Sequence, residues 1–234
     1  MCLLLPGTAF AQAPAVSGIS PSAGPTSGGT TVTITGTNLT SATVVDFGAT
    51  AATGVTVNSA TSITATAPAH AAGTVDVTVT TAGGTSAVSG NDQYTYVTPV
   101  VAGAASATVA YDTSANSITL NLSGGAPTSV AVATAAAHGT ATASGTTITY
   151  TPTTGFFGPD SFTYTATNGA STSAPATVSI TVSAPTIAVS PASLTAGTFG
   201  AAYSQSLTAT GGQAPYTFAL ASGATAQSPA RLPL

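Results

Sequence analysis

The 234-residue chain reads as an all-β protein of tandem β-sandwiches. Three observations carry this. Val, Ile, Phe and Tyr recur at alternate positions in runs of four to seven residues, the period of a half-buried strand. Glycine (25) and proline (15) interrupt the chain at short intervals, which breaks helices and closes turns. Charged residues are only 3% of the chain, so its solvated positions must be Thr, Ser and Asn.

The charged set is Asp46, Asp76, Asp92, Asp112, Asp160 and Arg231, with no Glu and no Lys, for a net charge of −4. So few ionisable groups can hardly form general acids, bases or metal cages, and one Arg cannot neutralise a nucleic-acid backbone. No apolar run reaches the 18 or more residues of a membrane-spanning helix. Cys2 is the sole cysteine, which excludes an intrachain disulfide.

Along the chain, residues 1–13 are expected to be a signal peptide. Leu3–Leu5 is a short apolar stretch, and Ala9-Phe10-Ala11 or Ala11-Gln12-Ala13 supplies the small-x-small cleavage pattern. The basic n-region is missing, so the start is expected to lie inside a longer leader.

Residues 15–97 carry seven predicted strands. They are marked by Val16 and Ile19, Thr31–Thr35, Val44–Phe47, Val55 and Val57, Ile63 and Ala65, Val75 with Val77 and Val79, and Tyr94 with Tyr96. Seven short strands in about 80 residues is the pattern of an immunoglobulin-like sandwich. Asp76 falls on the face opposite Val75, Val77 and Val79, so it is expected to be solvated. The motifs here are Ile19-Ser20-Pro21, Gly24-Pro25, Gly28-Gly29, Thr31 to Leu39 with Gly36 and Asn38, and Val45-Asp46-Phe47-Gly48. This stretch resembles an IPT/TIG domain. Gly36 and Asn38 are expected at positive φ, Gly48 is expected to let the next turn close, and these motif positions name a fold rather than an active site.

Residues 99–183 carry six more predicted strands, marked by Val109 and Tyr111, Ile118 to Leu122, Val130 and Val132, Ile148 and Tyr150, Phe162 and Tyr164, and Val178 to Val182. Tyr150-Thr151-Pro152, Gly155-Phe156-Phe157-Gly158-Pro159-Asp160-Ser161-Phe162-Thr163-Tyr164 and Asn168-Gly169 resemble the cadherin-like, immunoglobulin-like repeats of bacterial surface proteins. Pro152 is expected to end a strand, Phe156 or Phe157 to tuck under the crossover, and Gly158 to permit the bend. Related repeats often bind calcium, but Asp112 and Asp160 supply too few of the six to eight oxygens required. Asp160 is instead expected to cap the bend by accepting backbone N–H bonds.

Residues 184–234 read as an incomplete third unit, with strands marked by Ile187 and Val189, Tyr203, Leu207, and Tyr216 to Leu220. Gly197 to Leu220 resembles putative-Ig repeats. The departure after Ser222-Gly223 reads as a frameshift or truncation near Ala224, and half the strands cannot close a sandwich.

The search for chemistry is short. Without Lys there is no P-loop, and without Glu there is neither an H-E-x-x-H zinc motif nor an EF-hand ending in Glu. His70 and His138 fall in different predicted units. A trio of His138, Asp160 and a serine can be drawn, but no spacing supports it. No residue is assigned a catalytic, cofactor-binding or metal role, and no cofactor is expected.

The sequence is therefore expected to be a non-catalytic, exported bacterial cell-surface fragment. Its modules would serve as a stalk and as an adhesion region for a protein or glycan at a cell surface. The alternative is an accessory region of a secreted polysaccharide-acting enzyme. Nucleic acid is excluded as a partner, and uncharged strand edges make edge-strand self-association an open expectation.

Overall fold

The computed structural model describes residues 11–169 and 171–219. Cys2, the apolar stretch and most of the signal-peptide assignment lie outside the described residues, as do Leu220, Arg231 and the break near Ala224. About 53% of the described residues are in strands, and they contain no helix.

The first sandwich contains ten strands. These are β1 (Ala15–Ser20), β2 (Ala23–Pro25), β3 (Thr31–Thr37), β4 (Val44–Phe47), β5 (Thr50–Ala51), β6 (Thr53–Ser59), β7 (Ser62–Thr66), β8 (Gly73–Thr81), β9 (Gly84–Thr85) and β10 (Gln93–Val97). One sheet runs β1-β3-β7-β6 and the other β2-β10-β8-β4-β5, with β9 folded back on β8. β2 lies parallel to β10, while the other pairs are antiparallel. Alternation sends Val32, Ile34, Ile63, Ala65, Val77, Val79, Phe47, Tyr94 and Tyr96 into one core. The outward partners are hydroxyl residues, with Thr33 opposite both Ser20 and Thr64, and Thr64 opposite Thr56.

The second sandwich repeats this wiring. Its strands are β11 (Val100–Gly103), β12 (Ala105–Val109), β13 (Asn116–Ile118), β14 (Asn121–Gly124), β15 (Ser129–Thr134), β16 (Gly139–Ser144), β17 (Thr147–Pro152), β18 (Gly158–Asn168), β19 (Ser171–Thr172) and β20 (Ala176–Val182). One sheet runs β12-β20-β18-β15, with β12 parallel to β20 and β19 folded back on β18. The opposing layer is β13-β17-β16, completed by the pair β11-β14. Each sandwich thus packs four strands against an opposing sheet whose first strand runs parallel to its last, an immunoglobulin-like arrangement. A separate core holds Ile148, Tyr150, Phe162, Tyr164, Val178, Ile180 and Val182.

Three readings are corrected. The predicted strand Ile118 to Leu122 is split at Thr119-Leu120: β13 pairs β17, whereas β14 pairs β11. Tyr111 lies in a turn, because the chain leaves β12 after Val109 and Asp112 takes φ 53°. Gly36 is not at positive φ, although Asn38 (58°) and Gly48 (62°) are. Gly36 is needed for space, since a Cβ there would fall on the Ala15 carbonyl.

Among the described residues beyond Val182, β21 (Ala188–Ser190) and β22 (Thr208–Thr210) are the strands, paired with each other. The strands expected at Tyr203 and at Tyr216 to Phe218 are absent among the described residues. None of the described residues after Val182 is buried; Ile187, Val189, Leu207 and Phe218 are exposed, because no opposing sheet covers them.

The start of this unit nevertheless repeats the others. Gly124 pairs with Val100, and its Cβ position lies against the carbonyl of the preceding Pro99. Gly36 stands in the same relation to Val16 and Ala15. The Cβ position of Gly211 lies likewise against the Thr186 carbonyl. A glycine thus marks the place where each unit's incoming strand crosses its neighbour.

Candidate functional site

Asp160, His138 and Tyr150 come together at the crossover of the second sandwich, whereas Asp46, Asp76, Asp92 and His70 lie in the first. Pro152 ends β17, and a turn closed by Phe156 N–H to Thr153 C=O (3.0 Å) leads into Gly158, whose φ of 122° starts β18. Phe156 packs on the core and lies face to face with His138, 4.2 Å between ring centres, whereas Phe157 points outward. The sequence left the two open; the structure assigns the inward place to Phe156.

Asp160 fastens this corner. Its Oδ1 accepts the N–H of Ala137 (3.1 Å) and of Ser161 (2.8 Å), and its Oδ2 accepts the His138 N–H (3.0 Å) and the Tyr150 hydroxyl (2.7 Å). The expected capping role is therefore seen, across two loops. Burial by itself pushes the Asp160 carboxyl up, but the Tyr150 hydroxyl and three backbone N–H donors outweigh it and hold the pKa below its ordinary value. Tyr150 is pushed far up, by burial first and then by its bond to the carboxylate. Gly139 makes the approach possible, because a Cβ there would strike the Tyr150 ring and hydroxyl.

This geometry decides between chemistries. Asp160 takes only the backbone N–H of His138, whose ring is stacked on Phe156, so the two do not form a charge-relay pair. The four acceptor positions of the carboxylate are filled. Asp112 accepts the Gly155 N–H at 2.8 Å. These residues do not fit a calcium ion, which would have to replace their hydrogen bonds. Among the described residues there is no group of three or more His, Cys, Asp or Glu placed to hold a metal.

His70 lies in the other sandwich, stacked on Tyr96 at 4.9 Å, with Nδ1 donating to the Ala71 carbonyl (2.8 Å). Asp76 lies on the outer face of β8 opposite Gln93, half-buried. One carboxylate was missed by sequence reasoning: Asp92 is fully buried and accepts the Ser89 N–H through both oxygens (3.1 and 2.9 Å). The signal was the turn sequence Ser89-Gly90-Asn91-Asp92, which precedes β10.

The junction between the sandwiches is the second feature of interest. β10 ends at Val97 and β11 begins at Val100, leaving only Thr98 and Pro99. Both carbonyls are held by the second sandwich: Thr98 O by Asn168 Nδ2 (2.8 Å) and Pro99 O by Gly125 N–H (3.0 Å). Asn168 lies at the end of β18, in a corner that is duplicated in the first sandwich. There Ser86 exchanges two bonds with Val79, its N–H donating to Val79 O (2.9 Å) and its Oγ accepting the Val79 N–H (3.1 Å). Ser173 does the same with Ala166 at 2.8 and 3.0 Å. The hydroxyl pairs Thr80–Thr85 and Thr167–Thr172, each 2.9 Å, stand beside them.

Fold and junction together define an all-β module of serial immunoglobulin-like sandwiches. Residues 14–96 match the IPT/TIG domain and residues 96–181 the bacterial Ig domain, one directly after the other. No curated protein matches it. Among solved structures, the plexin A4 extracellular region is 17% identical over 76% of this chain, with a TM-score of 0.37. The Escherichia coli adhesin FdeC is 17% identical over 77%, with a TM-score of 0.32. The Bacteroides ovatus protein SGBP-B, solved with a mixed-linkage heptasaccharide, is 18% identical over 70%, with a TM-score of 0.27. The chain spans 16%, 68% and 43% of these chains respectively. No helix among the described residues is long and apolar enough to cross a membrane.

Proposed function

We propose that this chain is an exported, non-catalytic cell-surface module whose serial sandwiches form a stiff spacer and present a binding region to a protein or glycan. The observation that carries the reading is the two-residue junction, whose carbonyls are both bonded by the second sandwich. A linker without free residues transmits orientation from one module to the next, as a stalk requires, whereas flexible linkers need length and free backbone. The assignment of the few carboxylates to backbone capping supports a structural rather than a catalytic use of these groups. Binding would use sheet edges and end loops.

The test is binding of the whole chain to arrayed glycans and matrix proteins and to intact cells, alongside small-angle scattering. Specific binding together with an extended, single-orientation scattering profile is expected. Absence of binding removes the adhesion role and leaves the spacer, and a broad range of orientations removes the spacer.

A further inference from the structure

The chain enters the two sandwiches in similar ways. At the second, Thr98 and Pro99 lead in, and Asn168 at the end of β18 and the Gly125 N–H hold their carbonyls. The first sandwich has the same corner at the end of β8, where the Ser86–Val79 exchange matches that of Ser173 with Ala166. The turn after β8 lies against the chain that precedes β1, since a Cβ on Gly83 would fall on the carbonyls of Ala11 and Gln12. Asn38, just after β3, donates its Nδ2–H to the Ala13 carbonyl (3.1 Å), and Pro14 is buried. Gln12, Ala13 and Pro14 therefore belong to the first sandwich as Thr98 and Pro99 belong to the second.

These three residues overlap the two peptide bonds that the sequence offers to a signal peptidase. Ala9-Phe10-Ala11 places the cut at Ala11–Gln12, and Ala11-Gln12-Ala13 places it at Ala13–Pro14. The two products differ in what they do to the fold. Cutting at Ala13–Pro14 removes the Ala13 carbonyl from Asn38. It also turns the ring nitrogen of Pro14 into a terminal amine, protonated at neutral pH, on a buried residue, and taking a charge out of water is costly. Cutting at Ala11–Gln12 frees an amine on an exposed residue, where water solvates it, and leaves the Gln12 carbonyl at Gly83, the Ala13 bond and Pro14 in place.

We propose that the chain is processed by hydrolysis of the Ala11–Gln12 bond, so that the mature first sandwich starts at Gln12. This processing presupposes the exported role proposed above, and it shortens the expected leader from residues 1–13 to residues 1–11. Water adds across the amide. Its oxygen goes to the Ala11 carbonyl carbon, which departs as the carboxylate of the leader, and the Gln12 nitrogen becomes the new amino terminus. That amine can attack its own side-chain amide and expel ammonia to close a pyroglutamyl ring, which removes the charge without disturbing Ala13 or Pro14.

The test is export of the full chain from a bacterial host behind a short basic segment, which supplies the missing n-region. The first residue of the released protein is read by mass spectrometry. A product starting at Gln12, with or without loss of ammonia, is expected. Ala13→Leu removes the small residue that the second bond requires and is expected to leave processing unchanged, whereas Ala9→Arg spoils the first bond and is expected to slow processing by roughly tenfold or more. A product starting at Pro14, or processing lost in Ala13→Leu and kept in Ala9→Arg, overturns the proposal while export stands. A chain that is neither exported nor cut overturns both.

A second measurement is independent of export. Asn38→Asp keeps the side-chain shape and its tolerance of positive φ but loses the donor. In thermal unfolding it is expected to lower the midpoint of a chain starting at Gln12 and not that of a chain starting at Pro14, which itself melts lower than the Gln12 chain. Equal midpoints for the two starts would overturn the choice of bond.

Discussion

The two sandwiches bury tyrosine in opposite ways. In the first, Tyr94 and Tyr96 join Phe47 in an edge-to-face cluster (5.1 Å for Phe47–Tyr94, 4.9 Å for Tyr94–Tyr96), and neither hydroxyl has a partner among the described residues. Burial, reinforced by neighbouring Tyr94, pushes the Tyr96 pKa up to about 12. In the second, Tyr150 donates to Asp160, and Tyr164 Oη lies 2.9 Å from both the Gly103 and Asn121 carbonyls. The same strand wiring is thus secured by aromatic packing in one module and by partly buried polar bonds that tie loops together in the other. The polar solution is the more fragile to single deletions, because each leaves partners unsatisfied.

The largest expected effect is therefore Asp160→Ala, which strands three backbone N–H groups and should destabilise the second sandwich by about 3 kcal/mol while leaving the first unchanged. Residue-resolved hydrogen exchange distinguishes the two, and equal loss in both sandwiches would break the comparison. The same group sets an acid dependence. Its folded pKa lies below the ordinary 3.8, so its contribution is complete above that value and is lost as pH falls below it toward the folded pKa. Acid unfolding followed by NMR should show this slope in the second sandwich and lose it in Asp160→Ala.

Tyrosine-to-phenylalanine changes come next. Tyr164→Phe should cost about 1–2 kcal/mol by orphaning carbonyl acceptors, whereas Tyr94→Phe and Tyr96→Phe should be neutral or slightly stabilising in thermal unfolding. Smallest are Ser86→Ala and Ser173→Ala, each about 1 kcal/mol, similar to one another and additive because the two corners lie in different sandwiches with no partner shared in their bonds. A large difference between them would show that the duplicated corner does unequal work.

Much of this was legible in the sequence, and the failures have physical causes. Strands with bulky residues in period two, such as Thr31–Thr35, Val75–Val79 and Val178–Val182, stood out because one face had to be buried. β16 was missed because its inward residues are Gly139, Ala141 and Ala143, too small to mark an apolar face. β11 was missed because four residues offer little alternation, although Val100 is buried. In the third unit, Tyr203 and Phe218 were read as strand residues from their own character, but a strand needs a partner, and among the described residues only β21 and β22 find one. For the candidate site, the capping role of Asp160 was readable from its place after Gly158. Its four partners were not, since Ala137, His138 and Tyr150 reach it only through the tertiary fold.

The central claim is that the Thr98-Pro99 junction fixes the orientation of the two sandwiches. The most direct measurement is a distance distribution between spin labels at Thr33 on β3 and Thr165 on β18, by pulsed electron resonance, in the Cys2→Ser chain. A single narrow distribution is predicted, broadening when two glycines are inserted between Thr98 and Pro99 or when Asn168→Ala removes the bond to Thr98. A broad distribution in the uninserted chain would contradict the account.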